Sequence, residues 1–497
     1  DYLRSLLFYE KAENYPGWLR VIEKDAGVML ASVRPEDVYY VLDKCPEKDL
    51  RSCPGSLLVL MRRLFTWQQI PRMLKLKELL IHEVKTNPSL TDKIRGNLLG
   101  ECDLIMSFLM YNDITKMSQF HRSASARMSR PAISIRNEGG WTFGSPSVLM
   151  MFHRTPGDLE KELVEMNDCM PHYYRITNGH GQGAERIMNA EAEFLQGRFV
   201  DAQICLENTY VHIAENGQEN MVLCCDFLAL RLALCTELSL SYTIAERRKE
   251  LLRRHNITWV TLFDSVCAYY YALSGQITQI PVLFREHQLS TVNFLAPGKP
   301  MMELIENQVY LAQQEYAKVI GRSEGLLAVC EAMHYALVAL HVQIQTAAAY
   351  ECLGKRTEAR NCLKRALQIA LPDQFYLPFV ENYEYLEELL QREIQTADAA
   401  EHVFLTKVTE LGKNCQKRYG ALRKTHMFPK IAAELTEQEQ RIIELLAERL
   451  SNREIAEKLF LSEGTIKQYI NRIYAKLQIS GDVRTKRRQL IELLTAE

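Results

Sequence analysis

The chain has 497 residues, too many for one hydrophobic core, so two or three packed units are expected. Its 60 Lys and Arg against 62 Asp and Glu leave a net charge of −2, so any affinity for nucleic acid must be local. No apolar run approaches the roughly 18 residues of a membrane span, and 13 scattered cysteines without a CxxC pair read as reduced, cytosolic thiols.

The text opens at Asp1 inside helix-like sequence (YLRSLLFYEKAENYPGWLRVIE), so the chain is expected to be a piece of a longer protein. Residues 1–54 read as a helical connector with no nameable chemistry. From Gly55 one helix follows another, as in SLLVLMRRLFTWQQIPRMLKLKELLIHEVKTN. Apolar residues recur at three-and-four spacing and strand signals are nearly absent, so the class is all-α.

Residues 131–183 break the rhythm. Gly, Pro, Asn and Ser gather there with rings and histidines, which reads as an irregular insertion in the helical text. Trp141, Phe143 and Tyr173 offer flat apolar faces, and His153 and His180 offer polar ring nitrogens. Arg154 or Arg175 can pair with an anion, so these seven are the candidate residues for a small-molecule or peptide inducer. The bland alternative is core packing, and for Trp141, Tyr173 and Tyr174 it weighs equally. Cys169, His172 and His180 fit no standard metal spacing, no nucleophile is paired with a base, and no metal, cofactor or catalytic residue is expected.

From Ala184 a repeat flavour emerges. AEAEFLQGRFVDA (190–202) resembles the tetratricopeptide pattern, which recurs weakly at 269–280 (YYYALSGQITQI) and well at 347–359 (AAAYECLGKRTEA). Each glycine lies where two helices must turn. A degenerate tetratricopeptide-like solenoid over 55–421 is expected, with a non-repeating bundle as the lesser alternative. Residues 422–434 (LRKTHMFPKIAAE) read as a linker before a terminal unit at 435–497.

That unit carries the clearest signal. Thr436 with Glu439, and Ser451 with Glu454, are capping boxes that each start a helix. Ile442, Ile443, Leu446 and Leu450 form the inward face of the first helix; Ile455, Ala456 and Leu459 form that of the second. Ser462 caps a third helix, whose Ile466, Ile470, Ile473 and Leu477 make a buried stripe. Lys467, Gln468 and Asn471 lie on its opposite face, where side chains can reach base edges in a major groove. Thr465, Tyr469, Arg472 and Lys476 are placed to hold phosphates. A fourth helix is expected over 483–494. Residues 431–463 carry four Lys or Arg against eight Glu, whereas 464–488 carry seven against Asp482 alone, so the positive half contains the reading helix.

The pieces LT-x-x-E (435–439), LSNREIAEKLFLSEGTIK (450–467) and IYAKL (473–477) resemble the DNA-binding domain of the LuxR family of transcription regulators. Three positions depart from the family pattern: Arg449 replaces a glycine, Tyr469 a histidine and Arg472 an asparagine. The order solenoid, linker, head is similar to that of the large, MalT-like LuxR regulators. That resemblance implies a helical superhelix sensing an inducer, behind an N-terminal NTPase that this chain lacks. The Gly-Lys pairs at 298–299, 354–355 and 412–413 have no P-loop context, so ATP is expected only in a missing domain. The reading is therefore a cytoplasmic, non-enzymatic, ligand-responsive regulator that binds double-stranded DNA. RNA polymerase and self-association in the full-length protein are its further expected partners. The alternative is a protein-protein scaffold recruited to DNA by its head. A sigma-factor-like head is disfavoured by the extra basic helix and the lack of a companion region.

Overall fold

The computed structural model describes residues 1–136, 139–214, 217–238, 240, 242–292, 294–447, 450–476, 479, 486 and 490. Those residues form α-helices joined by turns, loops and a few 3-10 segments, and among them there is no strand. The all-α class follows from three-and-four apolar spacing carried along almost every segment.

Buried side chains gather into three clusters. The first runs from Leu6 to Phe108, the second from Leu104 to Tyr419 and the third from Leu435 to Leu490. Leu50 and Leu57 stand on either side of the expected boundary at 54/55 and share the first cluster. Packing is therefore continuous across that point.

The turns expected from the repeat-like text are where the sequence puts them. Gly197 separates the helices Ala184–Leu195 and Phe199–Ala214, and Gly354 separates Ala336–Cys352 from Arg356–Ala370. With Gly275 they have φ between +71° and +74°, a left-handed conformation that costs glycine nothing and other residues about 1 kcal/mol or more. Ala202, Ala347 and Ala359 are fully buried where neighbouring helices cross.

The helical array also closes on itself, which neighbour-to-neighbour stacking does not supply. Tyr376 N donates to Leu195 O (2.9 Å), and the Asp373 carboxylate accepts from the backbone N–H groups of Gly157 (2.5 Å) and Leu159 (3.2 Å). In the core, Arg231 meets Glu381 through two hydrogen bonds of 2.7 and 3.1 Å, and Tyr269 adds a third to the same carboxylate at 2.9 Å. The pair is almost fully excluded from solvent, so its hydrogen bonds are what make burying two charges tolerable.

Two stretches differ from the sequence expectation. The insertion at 131–183 is irregular only in part, because it contains the helices Leu149–Phe152 and Leu159–Thr177. In the longer one Leu159, Met166, Cys169, Met170, Tyr173 and Ile176 are buried at helical spacing. The internal Pro171, on the exposed side, hides that pattern in the sequence. Residues 422–434, expected as a linker, continue the helix Ala399–Glu434.

Candidate functional site

The terminal unit begins with the helix Glu437–Ala447. Glu439 accepts from Thr436 N at 2.8 Å and Thr436 Oγ1 at 3.1 Å, closing the first capping box. The second box, Ser451 with Glu454, starts Asn452–Leu459. That helix ends on Phe460, held at φ +54° and 95% exposed, so a bulky ring rather than a glycine occupies the left-handed turn position. Ser462 Oγ accepts from Thr465 N (3.1 Å) and caps the third helix, Glu463–Lys476.

Ile466, Ile470 and Ile473 of that third helix are buried with Tyr474, packed among Ile442, Ile443, Leu446 and Ile455. The stripe rotates Lys467, Gln468, Asn471, Arg472 and Lys476 to the exposed side, with Thr465 and Tyr469 half-buried at its edge. All seven expected DNA-facing residues thus share one helix, and five of them are exposed. The Arg472 guanidinium lies 5.5 Å from the Tyr469 ring centre, so the aromatic ring steadies the cation.

Two of the lysines have internal partners. Lys467 Nζ is 3.1 Å from Glu463 one turn earlier, with both side chains half or more exposed, a pair that DNA can displace at little cost. Lys476 Nζ donates to Glu439 Oε2 at 2.6 Å, and that glutamate is only 3% exposed. Burial pushes the Glu439 carboxyl up, but Lys476 and Thr436 together hold it below its usual value. Lys476 therefore ties the end of the third helix to the start of the first. Sequence reasoning missed this tie because the partners lie 37 positions apart with no pattern joining them. Arg449, Leu477 and nearly all of the expected helix at 483–494 lie outside the described residues; Leu490, which is described, is buried in the head core.

The seven candidate inducer residues do not converge on one site. His153 is fully buried between the carboxylates of Glu162 (2.8 Å) and Asp373 (3.5 Å). Arg154 donates to Asn112 Oδ1 at 2.5 Å, and its backbone N–H donates to Glu162 at 2.9 Å. Arg175 is exposed near the end of its helix. Trp141 stacks on Phe152 with ring centres 5.2 Å apart and lies over Gly181, where an added Cβ would meet the indole at 2.3 Å. His180 shares a 2.7 Å hydrogen bond with the Tyr173 hydroxyl and a 3.2 Å one with Gly139 O. Burial pushes His180 down to about 4, so the neutral ring donates to the carbonyl and accepts from the phenol. Trp141, Phe143, Tyr173 and His180 do border one void, but its volume of about 40 Å³ has room for water rather than an organic ligand. For most of these residues the core-packing reading fits the geometry better.

Cys169 faces His121 at 3.3 Å rather than His180, and no group of three potential metal ligands occurs among the described residues. All 13 cysteines are free thiols. No described helix is long and apolar enough to cross a membrane.

Residues 433–487 match the family model described as bacterial regulatory proteins, luxR family. The chain is also similar to the DNA-binding transcriptional activator DevR/DosR of Mycobacterium tuberculosis, 49% identical over 43 residues. That match covers 9% of this chain and 20% of the relative, so the chain spans about a fifth of the length of the curated protein it matches. No solved structure matches the chain.

Proposed function

We propose that this chain, whose C-terminal domain is a LuxR-family helix-turn-helix, is a ligand-responsive transcription regulator. The domain identifies double-stranded DNA as the partner of the head. The observation that carries the reading is the exposed row of Lys467, Gln468 and Asn471 on a helix fixed by its buried isoleucines. Lysine donates to guanine acceptors, while Gln and Asn pair bidentately with adenine, so such a row supports base readout in the major groove. Thr465, Tyr469 and Arg472 flank it and hold phosphates in this reading, with Lys476 able to join them only by leaving Glu439.

The helical array ahead of the head acts as the sensor, in the manner of the MalT-like regulators whose layout it resembles. In this reading the protein works in the cytoplasm, where a regulator meets its DNA. One head covers a half-site, so tight operator binding requires two or more heads, and RNA polymerase is the expected downstream partner. Selection of bound sequences from random duplexes by the full chain tests the reading. A defined half-site motif supports it, and enrichment of no sequence by either the free or the inducer-loaded chain rejects it.

A further inference from the structure

A second, larger cavity lies away from the head and adjoins the small void beside Trp141, sharing Arg62, Gly140 and Phe143 with it. Its volume is about 760 Å³, within the range of sites that hold drug-sized ligands. One wall is the helix Pro54–Thr66, another the helix Ile257–Leu273, and residues 26–28 with described residues of 134–136, 140–144 and 291–302 line the rest. Gly298 permits that closure, because a Cβ there would meet Phe143 O at 2.4 Å. The loop backbone is thereby seated against the start of the helix Lys299–Ala312.

Among the described residues the lining is chemically one-sided. Arg62, Arg63 and Arg136 all border the cavity, and no aspartate or glutamate does among the described residues. Arg63 donates to Gly27 O at 2.7 Å. Arg62 has weaker company: Nη1 donates to the neutral Thr66 hydroxyl at 2.5 Å, and the guanidinium sits 5.1 Å from the Phe108 ring. It forms no ion pair with any described carboxylate, and burial pushes it down to about 10, so it remains a cation at neutral pH. A half-buried cation facing a cavity without a described counter-charge keeps part of its desolvation cost, which an anion entering from the cavity side relieves. Val59, Phe143, Leu262, Phe294 and Met302 supply the apolar part of the lining.

We propose that this cavity binds an amphipathic organic anion, with its carboxylate or phosphate on Arg62 and its apolar body along the Phe143–Phe294 wall. The proposal rests on the ligand-responsive reading above and names the chemical class of the effector. Sequence alone did not single out Arg62, although an Arg-Arg pair inside the apolar run SLLVLMRRLF is a legible signal.

The test titrates the full chain by calorimetry with dodecanoate, dodecyl phosphate and the neutral dodecanol. An anion should bind at least tenfold more tightly than the alcohol, and the better of the two assigns carboxylate or phosphate. Arg62→Met should lose at least tenfold for the anion while leaving the alcohol unchanged. Thr261→Trp, which fills the cavity without touching an arginine, should lose both. Equal affinity for anion and alcohol, or an Arg62→Met chain that binds the anion as well as before, overturns the proposal. Should Arg62→Met fail to fold, Thr261→Trp decides: retained anion binding places the ligand elsewhere and overturns the site. A metabolite extract that raises the melting temperature of wild type and Arg62→Met equally rejects the anion site and leaves the sensor reading standing. An extract that shifts neither rejects the sensor reading, even if dodecanoate binds through Arg62.

Discussion

Replacing Lys476 by Met removes the tie between the third and first helices of the head. The 2.6 Å contact to a glutamate 3% exposed has a gross attraction of about 6 kcal/mol at an effective dielectric of about 20. Desolvation of Glu439 offsets most of it, and Lys476 is itself 37% exposed, which lets water screen the pair. What survives is the net value of a charged hydrogen bond, about 2 kcal/mol. Hydrogen exchange of the full chain should therefore quicken about thirtyfold in peptides from 437–447 and 463–476, with no change in the helical array before them. Glu439→Gln keeps an acceptor for Thr436 but discards the charge, and it should quicken the same peptides, with the two changes far from additive. Because Glu439 is held below its usual value, the tie is complete above the ordinary glutamate pKa and is lost as pH falls through the lowered one. If Lys476→Met left exchange in the head unaltered while flattening the salt dependence of DNA binding, Lys476 would be a phosphate ligand and the structural argument would be refuted.

The remaining predictions concern reading, titration and core charge. Lys467→Ala or Asn471→Ala should weaken the selected site by about 1–3 kcal/mol and relax base preference, and equal losses on specific and random duplexes in competition assays would remove both from base readout. Burial raises the Glu191 carboxyl to about 7, so the neutral acid is the form the fold favours. Its contribution, about 3 kcal/mol over the interval from its unfolded value, is complete near pH 4.5 and fades as pH rises through 7. Glu191→Gln should flatten that dependence in exchange of the helix Ala184–Leu195, and an unchanged pH profile would contradict the assignment. Glu381→Gln leaves Arg231 buried without its counter-charge and should cost about 3–5 kcal/mol, read as a lowered denaturation midpoint; a loss below about 1 kcal/mol would mean water reaches the pair.

The sequence by itself determined everything that depends on neighbours a few residues apart. Helical periodicity set the all-α class, the capping boxes at Thr436 and Ser451 set helix starts, and the isoleucines at 466, 470 and 473 set which side of the reading helix faces outward. Glycines 197, 275 and 354 marked turns because only glycine adopts a positive φ freely. Tertiary structure decided what depends on residues brought together from afar. His153 and Arg154 have the chemistry of ligand binders, yet Glu162 and Asn112 take up their hydrogen bonds, and Asp373 brings a second carboxylate to 3.5 Å from the histidine. Arg62, ordinary in its helix, becomes a cavity-lining cation because residues 140–144 and the helix at 257–273 close around it without bringing a described carboxylate. Local geometry is written in spacing, whereas whether a buried polar group is satisfied depends on partners whose positions spacing does not encode.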